Sequence, residues 1–127
     1  MMIKKTGFTF IEVIATLVII VILTTVALPS YQQYVVKTRR SDAYIALMLA
    51  AAEQERVFAI NNRYLSDINL LGGAISPEKF YELTVDLTNT GYILRAMAMP
   101  ETSQALDEDC QIMTLNNLGI KLPEICW

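Results

Sequence analysis

The sequence predicts an α+β fold in which one long N-terminal α-helix, half membrane-spanning and half amphipathic, packs on a small antiparallel β-sheet. Three observations predict it. From Phe8 to Leu28 the chain runs with a single charge, Glu12. From Ser30 to Ile60 it is rich in helix formers, including Ala43, Ala46, Leu47, Met48, Leu49 and Ala50 to Ala52. Beyond residue 80, short β-forming segments are separated by turn residues.

The apolar run comes first. At about 1.5 Å per residue, a helix from Phe8 to Leu28 reaches roughly 32 Å, close to the ~30 Å hydrocarbon thickness of a bilayer. A secretory signal peptide has a shorter apolar core, about 7–15 residues, with a small-residue cleavage site after it. Here the small residue, Gly7, comes before the run. A plain membrane anchor fits the hydropathy but leaves Glu12 unexplained. An ionised carboxylate at a helix centre costs about 2.5–3.5 kcal/mol on insertion scales. Such an acid either finds a partner or snorkels to the headgroups.

The basic leader Lys4-Lys5, then Thr6-Gly7 and Phe8-Thr9-Phe10-Ile11-Glu12-Val13, resembles the prepilin signature of type IV pilins and the related pseudopilins. Phe10 stands where the family usually carries leucine, a change that keeps bulk and apolarity. The resemblance implies that a prepilin peptidase cuts between Gly7 and Phe8, removing residues 1–7 as a leader, and that Phe8 is then N-methylated. It implies an assembly role for Glu12, which would pair with the Phe8 amine of a neighbouring subunit as both leave the bilayer. The helix dipole adds about +0.5 charge beside that amine. Implied partners are other pilin subunits, the prepilin peptidase, an inner-membrane assembly platform and, before assembly, the inner membrane itself. The C-terminal domain would be periplasmic at first and extracellular in the fibre.

On this reading residues 8–36 form the transmembrane and fibre-core helix, and residues 37–127 the globular domain. The helix is expected from about Phe8 to about Ala59. Pro29 lacks a donor and crowds the Thr25 carbonyl, so a kink or loosening is expected there, with Thr24 and Thr25 placed to bond the freed groups. Tyr44, Leu47, Ala51, Gln54 and Phe58 form a stripe at helical spacing that should bury against the sheet. Arg39, Arg40 and Asp42 lie past the membrane end and are expected as a solvated collar or subunit contact. Lys4 and Lys5 on one flank nearly balance Lys37, Arg39 and Arg40 on the other, so charge does not orient the span.

Asn61-Asn62 stops the helix, and residues 60–79 form an αβ loop punctuated by Gly72-Gly73 and Ser76-Pro77. The sheet is expected within 80–122. Phe80–Leu87 is its first strand, Thr88-Asn89-Thr90-Gly91 a turn, and Gly91–Met99 its second strand, ended by Pro100. Gln111–Leu115 is the third strand; Asn116-Asn117 turns into a short fourth, Leu118–Lys121. Met97, Met99 and Met113 are expected to fill core. Asp107, Glu108 and Asp109 read as a solvated loop.

Cys110 and Cys126 are the two cysteines. On an extracytoplasmic domain they read as a disulfide bounding the loop 110–126, the alternative being two buried free thiols. Gly91-Tyr92, Cys110 ahead of Thr114-Leu115-Asn116, Gly119, Lys121 and Cys126-Trp127 look like the C-terminal half of minor type IVa pilins of the PilE kind. The resemblance thus touches both ends of the chain and implies the pilin fold.

No histidine occurs, so no serine has one to activate it, and two thiols without histidine do not make an ordinary zinc site. The acids at 107–109 are contiguous rather than spaced for acid–base chemistry or a calcium loop. No enzyme activity and no cofactor are expected. Net charge is −3, and loss of Lys4 and Lys5 leaves 8 basic against 13 acidic side chains. That balance gives no general attraction for nucleic acid. The expected function is a structural subunit of a type IV pilus, a minor pilin taking part in assembly or initiation. A DNA-receptor pilin for natural transformation is the first alternative, needing a local basic patch drawn from Arg63, Lys79, Arg95 and Lys121. A type II secretion pseudopilin is the second; pseudopilins share the leader but generally lack the C-terminal disulfide.

Overall fold

The computed structural model describes residues 7–127. Residues 1–6 of the expected leader 1–7, with Lys4 and Lys5, lie outside the described residues. Helix α1 runs Phe10–Asn61, 52 residues. It ends as its sequence suggests: the Asn62 N–H donates to the Phe58 carbonyl, and Asn62 takes the left-handed conformation with φ 53°. Two compact units share this helix, one ending at Tyr34 and the other running Val35–Trp127.

In the first unit the side chains from Phe8 to Leu28 are exposed, and α1 is long and apolar enough to cross a membrane. Pro29 sits inside α1 without ending it. Thr24 donates to the carbonyls of Ile20 and Val21, and Thr25 to that of Ile22. Both hydroxyls therefore bond carbonyls one turn upstream, rather than the Thr25 carbonyl that the proline crowds.

In the second unit α1 buries Ala43, Leu47, Ala50, Gln54 and Val57, spaced alternately four and three apart. Leu47 and Gln54 lie on that face as expected, with Ala51 and Phe58 partly buried at its edge. Tyr44 does not; it is 40% exposed and meets Trp127 edge-on. Ala43, Ala46 and Ala50 in this face are small enough to let the helix backbone approach the sheet closely.

Strands β1 (Tyr81–Leu87), β2 (Tyr92–Ala98), β3 (Ile112–Asn116) and β4 (Lys121–Leu122) form one antiparallel meander in chain order. Tyr81 opposes Ala98, Ile93 opposes Asn116, and Leu115 opposes Lys121. Alternation sends Tyr81, Leu83, Tyr92, Leu94, Ala96, Met113 and Leu115 into the core with the alanines of α1. Met113 fills core as expected, and Met99 is partly buried. Met97 has the wrong parity: it opposes Ile112 on the outer face and is 46% exposed. The fourth strand begins later than expected. Asn116 accepts from the N–H groups of Leu118 and Ile120 and holds the turn open to that point. The Cys110–Cys126 disulfide forms, tying the start of β3 to the C-terminal turn Glu124–Cys126.

Candidate functional site

At the N-terminal end, Thr9 and Glu12 form a reciprocal cap. The Glu12 N–H donates to Thr9 Oγ1 at 3.3 Å, and the Thr9 N–H donates to Glu12 Oε2 at 3.5 Å. This is the Thr-x-x-Glu capping box, which satisfies two donors that the first helical turn otherwise leaves open. Its signal, Thr9-Phe10-Ile11-Glu12, is present in the sequence and was overlooked there. The cap turns the Glu12 carboxylate toward the helix start, onto the N–H of Thr9, the residue that follows Phe8. Phe8 and Phe10 are exposed.

Further along α1, the expected collar of charges is not solvated. Asp42 is 2% exposed. Its carboxylate accepts from the Ser76 hydroxyl, the Glu78 N–H at 2.9 Å and the Phe80 N–H at 3.3 Å. Arg40 holds Asp107 through two parallel hydrogen bonds, Nε and Nη2 each at 2.7 Å. That pairing, chiefly its hydrogen bonds, raises the Arg40 pKa above its ordinary value. Asp107 is buried, so the acidic run is a solvated loop only in part. Arg39 lies 4.6 Å from the centre of the Phe80 ring and donates to Ser103. Each partner is far away in sequence, which is why a local reading placed these residues in water.

The αβ loop is held at both ends by polar residues of α1. Asp42 fixes its exit, and Gln54 fixes its start by exchanging two hydrogen bonds with the Leu65 backbone, at 2.7 and 2.8 Å. Between them, Asp67 caps a short turn, Ile68–Leu71, and Leu71 plugs the core.

The four basic residues expected to form a patch are not brought together. Arg63 and Lys79 are exposed in the αβ loop. Arg95 stands on the outer sheet face and pairs with Asp86. Lys121 lies at the helix-facing edge, its ammonium 5.1 Å from the Tyr44 ring centre and 4.9 Å from that of Trp127. Those two rings, though not Lys121 itself, line a recess of about 330 Å³ together with Lys37, Arg40 and Ser41 of α1 and with Ile125 and Cys126. None of these lining side chains is acidic.

With this geometry in place, a family model described as type IV minor pilin ComP, DNA uptake sequence receptor, matches residues 29–114. The match runs from Pro29 in α1 through the αβ loop and into β3. The chain belongs to the ComP family. No curated protein matches it. A ComP-family chain is a type IV minor pilin, a structural protein that associates with other pilins, which decides against the pseudopilin alternative. The family match starts after the apolar run, so the leader, Gly7, Phe8 and Glu12 rest on their own motif. Of the recess the match covers the α1 side, Lys37 to Tyr44, and not Ile125, Cys126 or Trp127.

Proposed function

We propose that this ComP-family pilin is cut between Gly7 and Phe8, N-methylated at Phe8, and drawn from the inner membrane by an assembly platform. Glu12 then pairs with the Phe8 amine of a neighbour, and the fibre carries a DNA-binding domain, periplasmic before assembly, out to the cell exterior. The observation that carries the DNA reading is the family match, whose description is that of a DNA uptake sequence receptor. From sequence alone an assembly or initiation role came first and DNA capture second; the family reverses that order. The capping box supports the assembly step, since it already directs the Glu12 carboxylate toward the helix start. The acidic balance of the chain means that contact with DNA is local, through placed cations, rather than a bulk attraction.

The test is fluorescence anisotropy of a labelled DNA duplex with the full chain in zwitterionic nanodiscs, at about 50 and 200 mM salt. Saturable binding that weakens as salt rises is expected. Absence of binding at the lower salt overturns the DNA reading and returns the chain to an assembly role.

A further inference from the structure

We propose that the recess between Lys37 and Trp127 grips a backbone phosphate of DNA, with Lys121 held ready for it by the rings of Tyr44 and Trp127. This rests on the DNA reading above and names where contact is made.

The charges in the second unit differ in how much of their charge is available. Arg40, Arg56 and Arg95 each face a carboxylate within ion-pair distance, which cancels most of their field. Lys37 and Lys121 are in no ion pair among the described residues. Lys121 is nonetheless held, because its ammonium lies over two aromatic faces that meet edge-on at 5.5 Å between centres. A ring attracts a cation through its quadrupole and adds no net negative charge. The lysine is thereby positioned while its full charge remains free for an anion. A carboxylate partner would position it and neutralise it together, as Asp86 does for Arg95.

The frame around the recess is firm. Cys126, joined to Cys110, directly precedes Trp127 and so fixes where the indole stands. Arg40 is locked by Asp107. Its two hydrogen bonds use Nε and Nη2, leaving Nη1 outside that pair. Lys37, Ser41 and Ile125 complete the lining, the Ser41 hydroxyl donating to the Thr38 carbonyl at 2.8 Å. The Lys37 ammonium in the lining, the Lys121 ammonium over the two rings that border it, and the apolar ring surface suit a phosphate and its sugar. Such a contact positions DNA without reading its sequence, so its loss should weaken all sequences alike.

The test compares the full chain in zwitterionic nanodiscs with its Lys37→Gln, Lys121→Gln and Trp127→Leu variants, using labelled duplexes of two unrelated sequences. Circular dichroism checks the fold, and exposed Lys37 is the variant least able to disturb it. Each lysine variant is expected to weaken both duplexes several-fold and make the log–log salt slope shallower by about 1. Trp127→Leu should weaken binding because Lys121 loses its seat, while Arg95→Gln leaves affinity unchanged. Unaltered affinity and slope in both lysine variants, with wild type binding, overturn the recess and leave the DNA reading standing. Failure of the wild-type chain to bind any duplex overturns both. An anionic phospholipid headgroup offers the same phosphate chemistry. If the lysine variants lose flotation with phosphatidylglycerol vesicles but keep DNA affinity, the recess belongs to lipid and the proposal fails.

Discussion

The carboxylate of Asp42, within helix α1, accepts the hydroxyl proton of Ser76, a residue of the αβ loop. Two backbone N–H groups, of Glu78 and Phe80, bond the same carboxylate, and Ser76 in turn accepts from the Tyr81 N–H at 2.9 Å. A buried charge is thus satisfied by donors alone, and it clips the end of the loop and the start of β1 onto the helix. Asp42→Ala should cost about 2–3 kcal/mol, because hydrogen bonds to a charged group are lost and buried donors are stranded. Urea denaturation of the full chain in detergent checks this. A change under 0.5 kcal/mol, on the order of an ordinary surface substitution, would show that the clip is dispensable.

Arg40 and Asp107 make the second clip, between α1 and the connection that follows β2. Arg40→Met leaves a buried carboxylate without its counter-charge and should destabilise the chain by about 3 kcal/mol. Because the pair also pays for its own desolvation, the double variant Arg40→Met with Asp107→Leu should recover much of that loss. The same denaturation series measures both. A double variant no better than the single would contradict the account.

Two buried tyrosines predict a loss of stability at high pH. Burial pushes the Tyr92 hydroxyl well above its ordinary value, and Glu55, whose carboxylate accepts its hydrogen bond at 3.2 Å, pushes it further. Burial also raises Tyr81, partly offset by the hydrogen bond that Gln104 donates to its hydroxyl. Each group keeps its proton more tightly folded than unfolded. Their contribution is therefore complete below pH of about 10, the unfolded value, and is lost as pH rises above it. The melting temperature should be flat from about pH 8 to 9.5 and fall beyond 10. Tyr92→Phe should flatten that fall.

Glu12 has two roles in this account, one within its own helix and one with a neighbour. Glu12→Leu removes the side-chain half of the capping box and should cost helix α1 about 1 kcal/mol or less. The protein should remain in the membrane, yet its recovery in sheared pili should drop several-fold or more. Glu12→Leu found in sheared pili at wild-type levels would contradict the pairing of Glu12 with the Phe8 amine.

The elements themselves were legible from local signals. The apolar run, the Asn61-Asn62 stop, the Thr88-Asn89-Thr90-Gly91 turn and the alternation in the sheet all depend on residues close in sequence, and the cysteine pair closed as expected. What was missed depends on contacts between distant segments. Nothing beside Asp42 announces Ser76, and nothing beside Arg40 announces Asp107. The phase of the buried helix face was misjudged at Tyr44, because large residues were favoured at the contact where alanines allow close approach. Lys121 is expected in a patch with Arg63, Lys79 and Arg95, and only the fold sets it instead over Tyr44 and Trp127. The Thr9–Glu12 cap is the exception: its pattern was local, and attention to the acid alone hid it.

The most direct measurement is made on fibres. Pili sheared from cells with and without this chain are incubated with labelled duplex DNA, and the retained label is counted alongside mass spectrometry of the fibre proteins. The account predicts that the chain is recovered starting at N-methylated Phe8 and that fibres containing it hold more DNA than fibres lacking it. Equal retention by the two kinds of fibre, with the processed chain present in one, would contradict its role as a DNA-carrying pilin.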